Sequence, residues 1–230
     1  MRYWLVMPAA GIGRRFGTQR PKQYAALRGR TVIAWALEPF LGDRRCAGAV
    51  VALAAHDPYW PDVDAPDVIL APGGAERSHS VRNGLGALAG RAASEDWVLV
   101  HDAARPCLPA QDLDRLLSRL QSHPLGGLLA VPAADTLKRA DAAGGVCETV
   151  PRAGLWRALT PQMFRYGPLC EALDRAHDAG RLPTDEAQAM EWLGHRPVLV
   201  EGSAANLKIT SSADLALAAA LLEPAAETFR

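Results

Sequence analysis

Strand-like apolar runs alternate with helix-like stretches along most of this chain, and this alternation constrains the fold more than any other feature. Tyr3–Met7 and Trp97–His101 have the pattern of strands, and Gly48–Ala54 is a continuous apolar run, as expected of a strand buried on both faces. Val32–Leu41, which follows Thr31, has a helical pattern. The alternation predicts an α/β fold with a mostly parallel sheet and helices on both faces.

The other predicted elements extend the same pattern over the 230 residues, a length that suits a single domain, 1–230. The last helix begins at Ser211-Ser-Ala-Asp214, which resembles a capping box with Asp in place of Glu. We predict further strands at Val68–Leu70, Leu128–Val131, Val198–Glu201 and Asn206–Ile209, and further helices at Ser78–Leu88 with Ser78 as N-cap, at Leu113–Leu120, near Leu169–Ala179 and from Thr184-Asp-Glu onward.

Residues 132–152 break this pattern. They predict two short strands around a turn at Asp141–Gly145, with little apolar surface to stabilise them. Two interpretations fit the pattern: a protruding β-hairpin arm that packs on a partner subunit, and a surface hairpin that stays on its own subunit.

A glycine-containing loop with clustered basic residues follows the first predicted strand. It comprises Pro8–Arg15 and Arg20–Tyr24, with Arg14, Arg15 and Lys22 among its cations. Glycine lets backbone N–H groups approach an anion, and the basic side chains can neutralise phosphate oxygens. The loop therefore predicts a polyphosphate ligand.

The spacing in this loop disfavours the two common nucleotide-binding motifs. Phe16 stands at the third glycine of G-x-G-x-x-G, which argues against a dinucleotide-binding dehydrogenase. Gly11 and Gly17 are one residue too far apart for a P-loop, and Thr18 follows instead of Lys.

Three later runs can reach the same cleft, because ligands of parallel sheets bind at the carboxyl ends of the strands. Asp102 ends a strand and could hold Mg²⁺ or a hydroxyl group, or cap a turn. Gly73–Ser80 leads glycines into a helix N-terminus, a place for a phosphate or a base, although it also fits a plain turn. Lys208 lies in an apolar run, either as the lysine of an edge strand or as a cation directed into the cleft.

Composition narrows the class of protein. The formal net charge is zero, which argues against a nucleic-acid partner. No apolar run approaches the length of a membrane span, and the N-terminus does not resemble a signal peptide. The four cysteines have no C-x-x-C pair, as expected of reduced thiols in the cytoplasm. No G-x-S-x-G or H-E-x-x-H run is present; among the histidines, only His101, beside Asp102, is a candidate for catalysis.

Taken together, the runs resemble the 2-C-methyl-D-erythritol 4-phosphate cytidylyltransferase family. The resemblance covers nearly the whole chain, and it implies a Rossmann-like nucleotidyltransferase fold with a β-hairpin arm. The implied reaction transfers CMP from CTP to 2-C-methyl-D-erythritol 4-phosphate, in non-mevalonate isoprenoid precursor synthesis. The matching runs are Pro8–Arg15, Pro21–Tyr24, Gly73–Arg77, Val100–Pro106, Ala158–Gln162, Thr184–Ala187 and Asn206–Lys208.

The resemblance also implies a role for each matching residue. Arg15 and Lys22 would stabilise the transition state, Lys208 would contact the phosphates and position the substrates, and Asp102 would lie near Mg²⁺, which the CTP phosphates mainly hold. The nucleotide would be bound by Ala9, Ala10, Gly11, Gly74 and Ser80. The acceptor would be bound by Arg105, Thr136, Arg152, Thr160 and Thr184, some of them across a homodimer interface formed by the arm.

One departure and two alternatives accompany this resemblance. Ala75 stands where the family often has an acidic residue, so one polar contact to the base or ribose is absent. The first loop fits other pyrimidine nucleotidyltransferases equally well, for example one that acts on ribitol phosphate. A nonenzymatic nucleotide-binding protein of the same fold would need a lost catalytic group, yet Arg15, Lys22, Asp102 and Lys208 are all present.

Overall fold

A central sheet of seven strands organises the described part of the chain. The computed structural model describes residues 1–11 and 20–222. The strands are β1 (Tyr3–Pro8), β2 (Ala26–Leu27), β3 (Arg30–Thr31), β4 (Cys46–Leu53), β5 (Ile69–Pro72), β6 (Trp97–Val100), β7 (Gly126–Pro132), β8 (Leu137–Ala140), β9 (Val146–Val150), β10 (Trp156–Arg165) and β11 (Val198–Glu201). In the central sheet they follow the order β11-β7-β10-β6-β1-β4-β5.

The predicted mostly parallel sheet is confirmed. β1 pairs in parallel with β4 and β6, β4 with β5, and β11 with β7. β10 is the exception, because it lies antiparallel between β6 and β7. The sequence did not predict β10, since Pro161 interrupts its apolar pattern; the strand tolerates this proline through a shift in register between Ala158 and Gln162.

Helices cover both faces of the sheet, as predicted. Alternate residues of β1 point to opposite faces: Leu5 packs in the core cluster of α1 and α3, and Val6 in the cluster of α2, α4 and α5. The helices are α1 (Val32–Leu41), α2 (Arg77–Gly86), α3 (Ala110–Leu120), α4 (Tyr166–Asp178), α5 (Glu186–Trp192) and α6 (Ser212–Leu221). None of the helices in the described residues is long and apolar enough to cross a membrane.

The helix starts are predicted with mixed success. Thr31 caps α1 as expected, because its Oγ1 accepts the N–H of Ala34 at 3.3 Å. The prediction that Ser78 caps α2 is wrong: the helix begins at Arg77 with Glu76 in the N-cap position, and Ser78 is buried inside it. The hydroxyl of Ser78 instead lies 3.1 Å from Nε2 of His177, between α2 and α4.

The predicted strand at Asn206–Ile209 is also wrong. These residues form an irregular segment whose polar groups bond to the loop after β6 and to β10 instead of to a sheet edge. The N–H of Ile209 donates to the carbonyl of Ala104 at 2.8 Å, and Nδ2 of Asn206 donates to the carbonyl of Thr160 at 2.6 Å. Lys208 is therefore carried by a segment anchored beside the carboxyl end of β6.

The capping box of α6 is confirmed and fixes the end of the Lys208 segment. Oδ2 of Asp214 accepts the N–H groups of Thr210 and Ser211, each at 2.8 Å, and these hydrogen bonds lower the pKa of Asp214 to about 2. We expect Asp214→Ala to reduce the free energy of unfolding by ~1 kcal/mol at pH 7.

This effect of Asp214 has a defined pH dependence. Because the folded-state pKa is depressed, the charge stabilises fully above pH ~4, and its contribution is lost as the pH falls towards 2. Urea denaturation of both proteins between pH 7 and pH 3.5 measures the difference. Equal stability at pH 7 would contradict the prediction.

The predicted hairpin within residues 132–152 is confirmed. β8 and β9 pair antiparallel, and the turn is closed by Oδ1 of Asp141, which accepts the N–H of Gly145 at 2.8 Å. All of β8 and most of β9 are exposed, including Leu137 and Val146. The hairpin therefore adds almost nothing to the core of its own chain.

Candidate active site

A cleft of about 290 Å³ opens at the carboxyl ends of β1, β5 and β6, where the predicted runs converge. The Lys208 segment and the 3-10 turn Lys22–Tyr24 form the rest of its wall. It is lined by Pro8, Ala9, Ala10, Gly11, Lys22, Gln23, Gly74, Ala75, Glu76, Arg77, Ser80, Asp102, Ala103, Ala104 and Lys208.

The first loop is held in place by Gln23, whose importance the sequence analysis missed. Its Nε2 donates to the carbonyls of Ala9 at 2.6 Å and Gly11 at 3.0 Å. The N–H of Ala9 donates to the carbonyl of Ala52 at 2.8 Å, so both polar backbone groups of Ala9 are used within the protein. A buried side-chain amide between two carbonyls makes this end of the loop rigid.

The glycine run after β5 packs directly against the first loop. A Cβ added to Gly73 would lie 2.2 Å from the Cβ of Ala10, so only glycine allows this approach. A Cβ at Gly74 would lie 2.3 Å from the Cβ of His79. Oγ of Ser80 accepts the N–H of Gly74 at 3.0 Å, which fixes the turn beside the N-terminus of α2.

Asp102 is the electrostatic centre of the cleft. Its Oδ1 lies 3.0 Å from Nε of Arg77, and its Oδ2 lies 2.9 Å from Nζ of Lys208 and 3.5 Å from Nε of Arg105. The carboxylate is only 7% exposed. Burial works to raise its pKa, but the three cations, Arg77 foremost, outweigh burial and hold the pKa well below its usual value. Asp102 is therefore ionised throughout the physiological range.

A half-buried Arg77 forms an ion pair with buried Glu186, which the sequence patterns did not predict. Nη1 of Arg77 lies 2.6 Å from Oε1 of Glu186, and Nη2 lies 3.1 Å from Oε2. Burial works against both charges. Glu186 and Asp102 together outweigh it at Arg77 and raise the pKa of the guanidinium, whereas at Glu186 burial outweighs Arg77 and raises the pKa of the carboxyl above its ordinary value. The sequence signal was available, since both residues lie inside the matching runs Gly73–Arg77 and Thr184–Ala187.

Lys22 reaches the same wall from the other side. Its Nζ donates to the carbonyl of Ile209 at 2.9 Å, next to Lys208 in the chain. Of the two possibilities for Lys208, the cation directed into the cleft is confirmed by its ion pair with Asp102. The fold thus places two ammonium groups from distant parts of the sequence at one cleft.

His101 is buried beneath the cleft and does not line it. Its side chain is bonded on both sides, with Nδ1 at 3.0 Å from Oγ1 of Thr160 and Nε2 at 3.1 Å from the carbonyl of Arg105. A carbonyl can only accept, so Nε2 carries the proton and Nδ1 accepts from the Thr160 hydroxyl. Burial lowers the pKa of His101 to about 4 and keeps the ring neutral. His101 therefore supports the loop that carries Asp102.

Five residues matched to the acceptor lie outside the cleft of this chain. Arg105 is buried behind Asp102, and its Nη1 donates to the carbonyl of Asn206 at 2.7 Å. The hydroxyl of buried Thr160 also accepts the N–H of Asp102 at 3.1 Å. Thr184 is exposed just before α5, and Thr136 and Arg152 are exposed at the base of the arm, where Arg152 donates to the carbonyl of Ala134.

The remaining predicted site residues divide into two groups. Arg15, and with it Arg14, lies outside the described residues. The predicted nucleotide-binding residues and the other predicted catalytic residues all line the one cleft: Ala9, Ala10, Gly11, Gly74, Ser80, Lys22, Asp102 and Lys208.

The described side chains of the cleft could bind a metal ion only if a bound ligand supplied further donor atoms. Over residues 1–11 and 20–222, no group of three or more His, Cys, Asp or Glu side chains is placed to hold a metal ion. Asp102 can offer one carboxylate, and Mg²⁺ commonly combines one or two carboxylates with phosphate oxygens and water. Both oxygens of Asp102 already contact cations, so a metal here would share Asp102 with Lys208 or displace its ammonium.

Comparison with known proteins identifies a family. The family model IspD, 2-C-methyl-D-erythritol 4-phosphate cytidylyltransferase, matches residues 3–224. The enzyme of that name from Ectopseudomonas mendocina is 56% identical over 219 residues (94% of this chain, 93% of the relative), and the one from Pseudomonas aeruginosa is 57% identical over 217 residues (93% of each chain).

Solved structures agree with this match. A crystal structure of 4-diphosphocytidyl-2C-methyl-D-erythritol synthase superposes with a TM-score of 0.84 at 41% identity, covering 96% of this chain and 98% of that one. The Francisella tularensis 2-C-methyl-D-erythritol 4-phosphate cytidylyltransferase gives a TM-score of 0.84 at 34% identity, covering 96% and 100%.

Proposed function

The chain belongs to the 2-C-methyl-D-erythritol 4-phosphate cytidylyltransferase family, and we propose that the cleft around Asp102 is where its cytidylyl transfer occurs. The enzyme transfers CMP from CTP to 2-C-methyl-D-erythritol 4-phosphate in isoprenoid synthesis, giving 4-diphosphocytidyl-2-C-methyl-D-erythritol and pyrophosphate. Ribitol phosphate, the alternative acceptor, is not favoured by these matches. The observation that carries the assignment of the site is the convergence of Lys22, Lys208 and Asp102 on one cleft.

The first loop and the N-terminus of α2 would bind CTP. The N–H groups at the start of α2 and the glycines of the adjoining loops favour an anion or a polar base edge. Gly74 and Ser80 would lie near the cytosine, and Ala10 and Gly11 near the phosphates. Ala9, whose polar backbone groups are used within the protein, would contribute packing. Ala75 also lines this wall, and its methyl group offers the base no polar contact.

The transfer would be driven by electrostatics. An oxygen of the acceptor phosphate forms a bond to the α-phosphorus of CTP, and the bond from that phosphorus to the bridging oxygen breaks, so that pyrophosphate leaves with the electron pair. The nucleophile is already ionised at neutral pH, so a general base is unnecessary, which agrees with a neutral, buried His101. The remaining difficulty is the approach of one anion to another. Lys22, Lys208 and Arg15 would supply the compensating charge.

Mg²⁺ is proposed as the cofactor. Asp102 would hold the ion together with the phosphates of CTP, and the bound ion would neutralise charge on those phosphates. The ion pair of Lys208 with the same carboxylate supports this proposal, since its ammonium would be a second cation beside the phosphates.

The acceptor half of the site is proposed to be completed by a homodimer. The arm is exposed along β8 and β9 and carries apolar Leu137 and Val146 outward, a surface suited to a second copy of this chain. Thr136 and Arg152 of one subunit would then reach the cleft of the other subunit. Arg105 and Thr160 would support the cleft of their own subunit from behind. Thr184 is the weakest of the proposed acceptor contacts, since it is exposed just before α5 and does not line the cleft.

A cytoplasmic location is proposed as well. Each of the four cysteines, Cys46, Cys107, Cys147 and Cys170, is a free thiol, which suits a reducing compartment.

A direct assay tests the acceptor. The protein is incubated with CTP, Mg²⁺ and either 2-C-methyl-D-erythritol 4-phosphate or ribitol phosphate, and release of pyrophosphate is followed. We expect release with the first acceptor and at most a trace with the second. Omission of Mg²⁺ with added chelator should abolish release, and undiminished release would contradict the proposed cofactor.

Substitution of Arg152 tests acceptor binding separately from nucleotide binding. We expect Arg152→Ala to raise the KM for the acceptor at least tenfold, because a charged contact to a phosphate is lost, and to leave the Kd for CTP within twofold. Arg139→Ala, in the same arm but paired with Glu148, is the matched control and should change neither value. Calorimetry with CTP alone measures the Kd, and an equal loss of CTP affinity would count against the assignment.

A further inference from the structure

Glu186 is a buried carboxylate without a role in the transfer described above. It is only 1% exposed, at the first residue of α5. Its position is well defined, because Asp185 caps α5 by accepting the N–H of Gln188 at 2.9 Å, and Gln162 of β10 accepts the N–H of Ala187 at 2.8 Å. Burying a carboxylate is costly unless a partner compensates it. The partner is Arg77, whose guanidinium also lines the cleft.

The guanidinium of Arg77 joins two carboxylates with all three of its nitrogens. Nη1 and Nη2 are bonded to Glu186, which leaves Nε for Oδ1 of Asp102. The second oxygen of Asp102 is thereby left to Lys208. A guanidinium readily holds one carboxylate through two nitrogens at once. If Arg77 were released from Glu186, it could contact both oxygens of Asp102 and compete with Lys208.

We propose that Glu186 is a positioning residue of the transfer site, which holds Arg77 by two nitrogens so that Oδ2 of Asp102 stays available to Lys208. The inference rests on the roles proposed above for Asp102 and Lys208. Three cations, Arg77, Arg105 and Lys208, surround Asp102, so Glu186 also prevents an excess of positive charge at the site.

Glu186→Gln tests this role while keeping the volume of the side chain. We expect kcat for pyrophosphate release to fall about tenfold at saturating substrates, because the released Arg77 would displace Lys208 from Oδ2 of Asp102. The Kd for CTP should stay within twofold of wild type or become lower, because the change adds net positive charge beside a triphosphate site. General damage to the fold would instead weaken CTP binding. Glu171→Gln removes a comparable but exposed partner of Arg175 on α4, and we expect both values to stay within twofold.

A double-mutant cycle establishes whether Glu186 acts through Arg77. In an Arg77→Met background, the further change Glu186→Gln should alter kcat less than twofold, because the group that it holds is already gone. A further tenfold loss in that background would overturn the inference, and so would wild-type kcat in Glu186→Gln alone.

Glu186→Asp covers the case in which Glu186→Gln does not fold. The shorter side chain keeps the charge but is too short to hold both Nη atoms of Arg77, so Arg77 can again compete for Asp102, and kcat should fall about tenfold with an unchanged Kd for CTP. Wild-type kcat in this variant would overturn the inference. If the roles proposed for Asp102 and Lys208 are wrong, the result is different. Asp102→Asn would then turn over at the wild-type rate, whatever the kcat of Glu186→Gln.

Discussion

We expect Lys22→Ala to lower kcat at least ~100-fold, a loss of ~3 kcal/mol of transition-state stabilisation, and to raise the KM for CTP much less. The reason is the place at which this ammonium acts. The Nζ of Lys22 lies on the cleft wall, 2.9 Å from the carbonyl oxygen of Ile209. Negative charge would build up beside this wall as the acceptor phosphate attacks the α-phosphorus of CTP. In the proposed site, the ground state of CTP would have other partners, in the backbone of the loops and in Lys208. Removal of Lys22 should therefore affect the transition state more than the bound nucleotide.

The measurements for Lys22 are steady-state pyrophosphate release and calorimetry with CTP. Arg30→Ala is the control, since it removes a cation from the neighbouring stretch of chain, where Arg30 pairs with Glu38 on the surface. We expect the control to stay within twofold of wild type. Near-normal turnover of Lys22→Ala would reject the assignment. Arg15→Met is expected to have an effect of the same size, from the resemblance of the first loop alone.

We expect Asp102→Asn to lower kcat at least ~100-fold and to reduce the free energy of unfolding by ~3 kcal/mol, because it leaves the cations around this buried carboxylate without their counterion. Arg77, Arg105 and Lys208 all lie within 3.5 Å of this carboxylate. An amide of the same shape presents an NH₂ group to at least one of them. The Lys208 ammonium, partly exposed, would then turn away from the cleft.

The pH dependence of the Asp102 effect follows from its depressed pKa. The charge stabilises the folded state at every pH above ~4, and its contribution is lost only as the pH falls through the much lower pKa of the folded state. The stability difference between wild type and Asp102→Asn should therefore be constant between pH 5 and pH 8. Asp174→Asn, which breaks a more exposed pair with Arg82, is the control and should cost under ~1 kcal/mol. A wild-type stability for Asp102→Asn would contradict the prediction.

Local pattern was sufficient for most of the elements. α1 and β11 have the predicted bounds, and the capping box at Ser211–Asp214 is present, because the helical and capping patterns link residues three or four apart and β11 is a short continuous run of mostly apolar residues. The failures have a common cause. β10 and the segment Asn206–Ile209 are both defined by partners 24 or more residues away, to which their own patterns give no clue.

The sequence by itself determined the chemistry available to this protein: a glycine loop with wrong spacing for the common nucleotide motifs, a strand-end aspartate, and isolated lysines that together match one family. Each of these signals lies within a short run of residues, so it can be recognised from the sequence alone. Only the tertiary structure decided how the charges are paired. Arg77, Glu186 and Gln23 act through contacts with residues 12 to 109 positions away, and such contacts depend on how the sheet brings its loops together. The energy of a buried charge depends on its neighbours in space, which no spacing along the chain specifies.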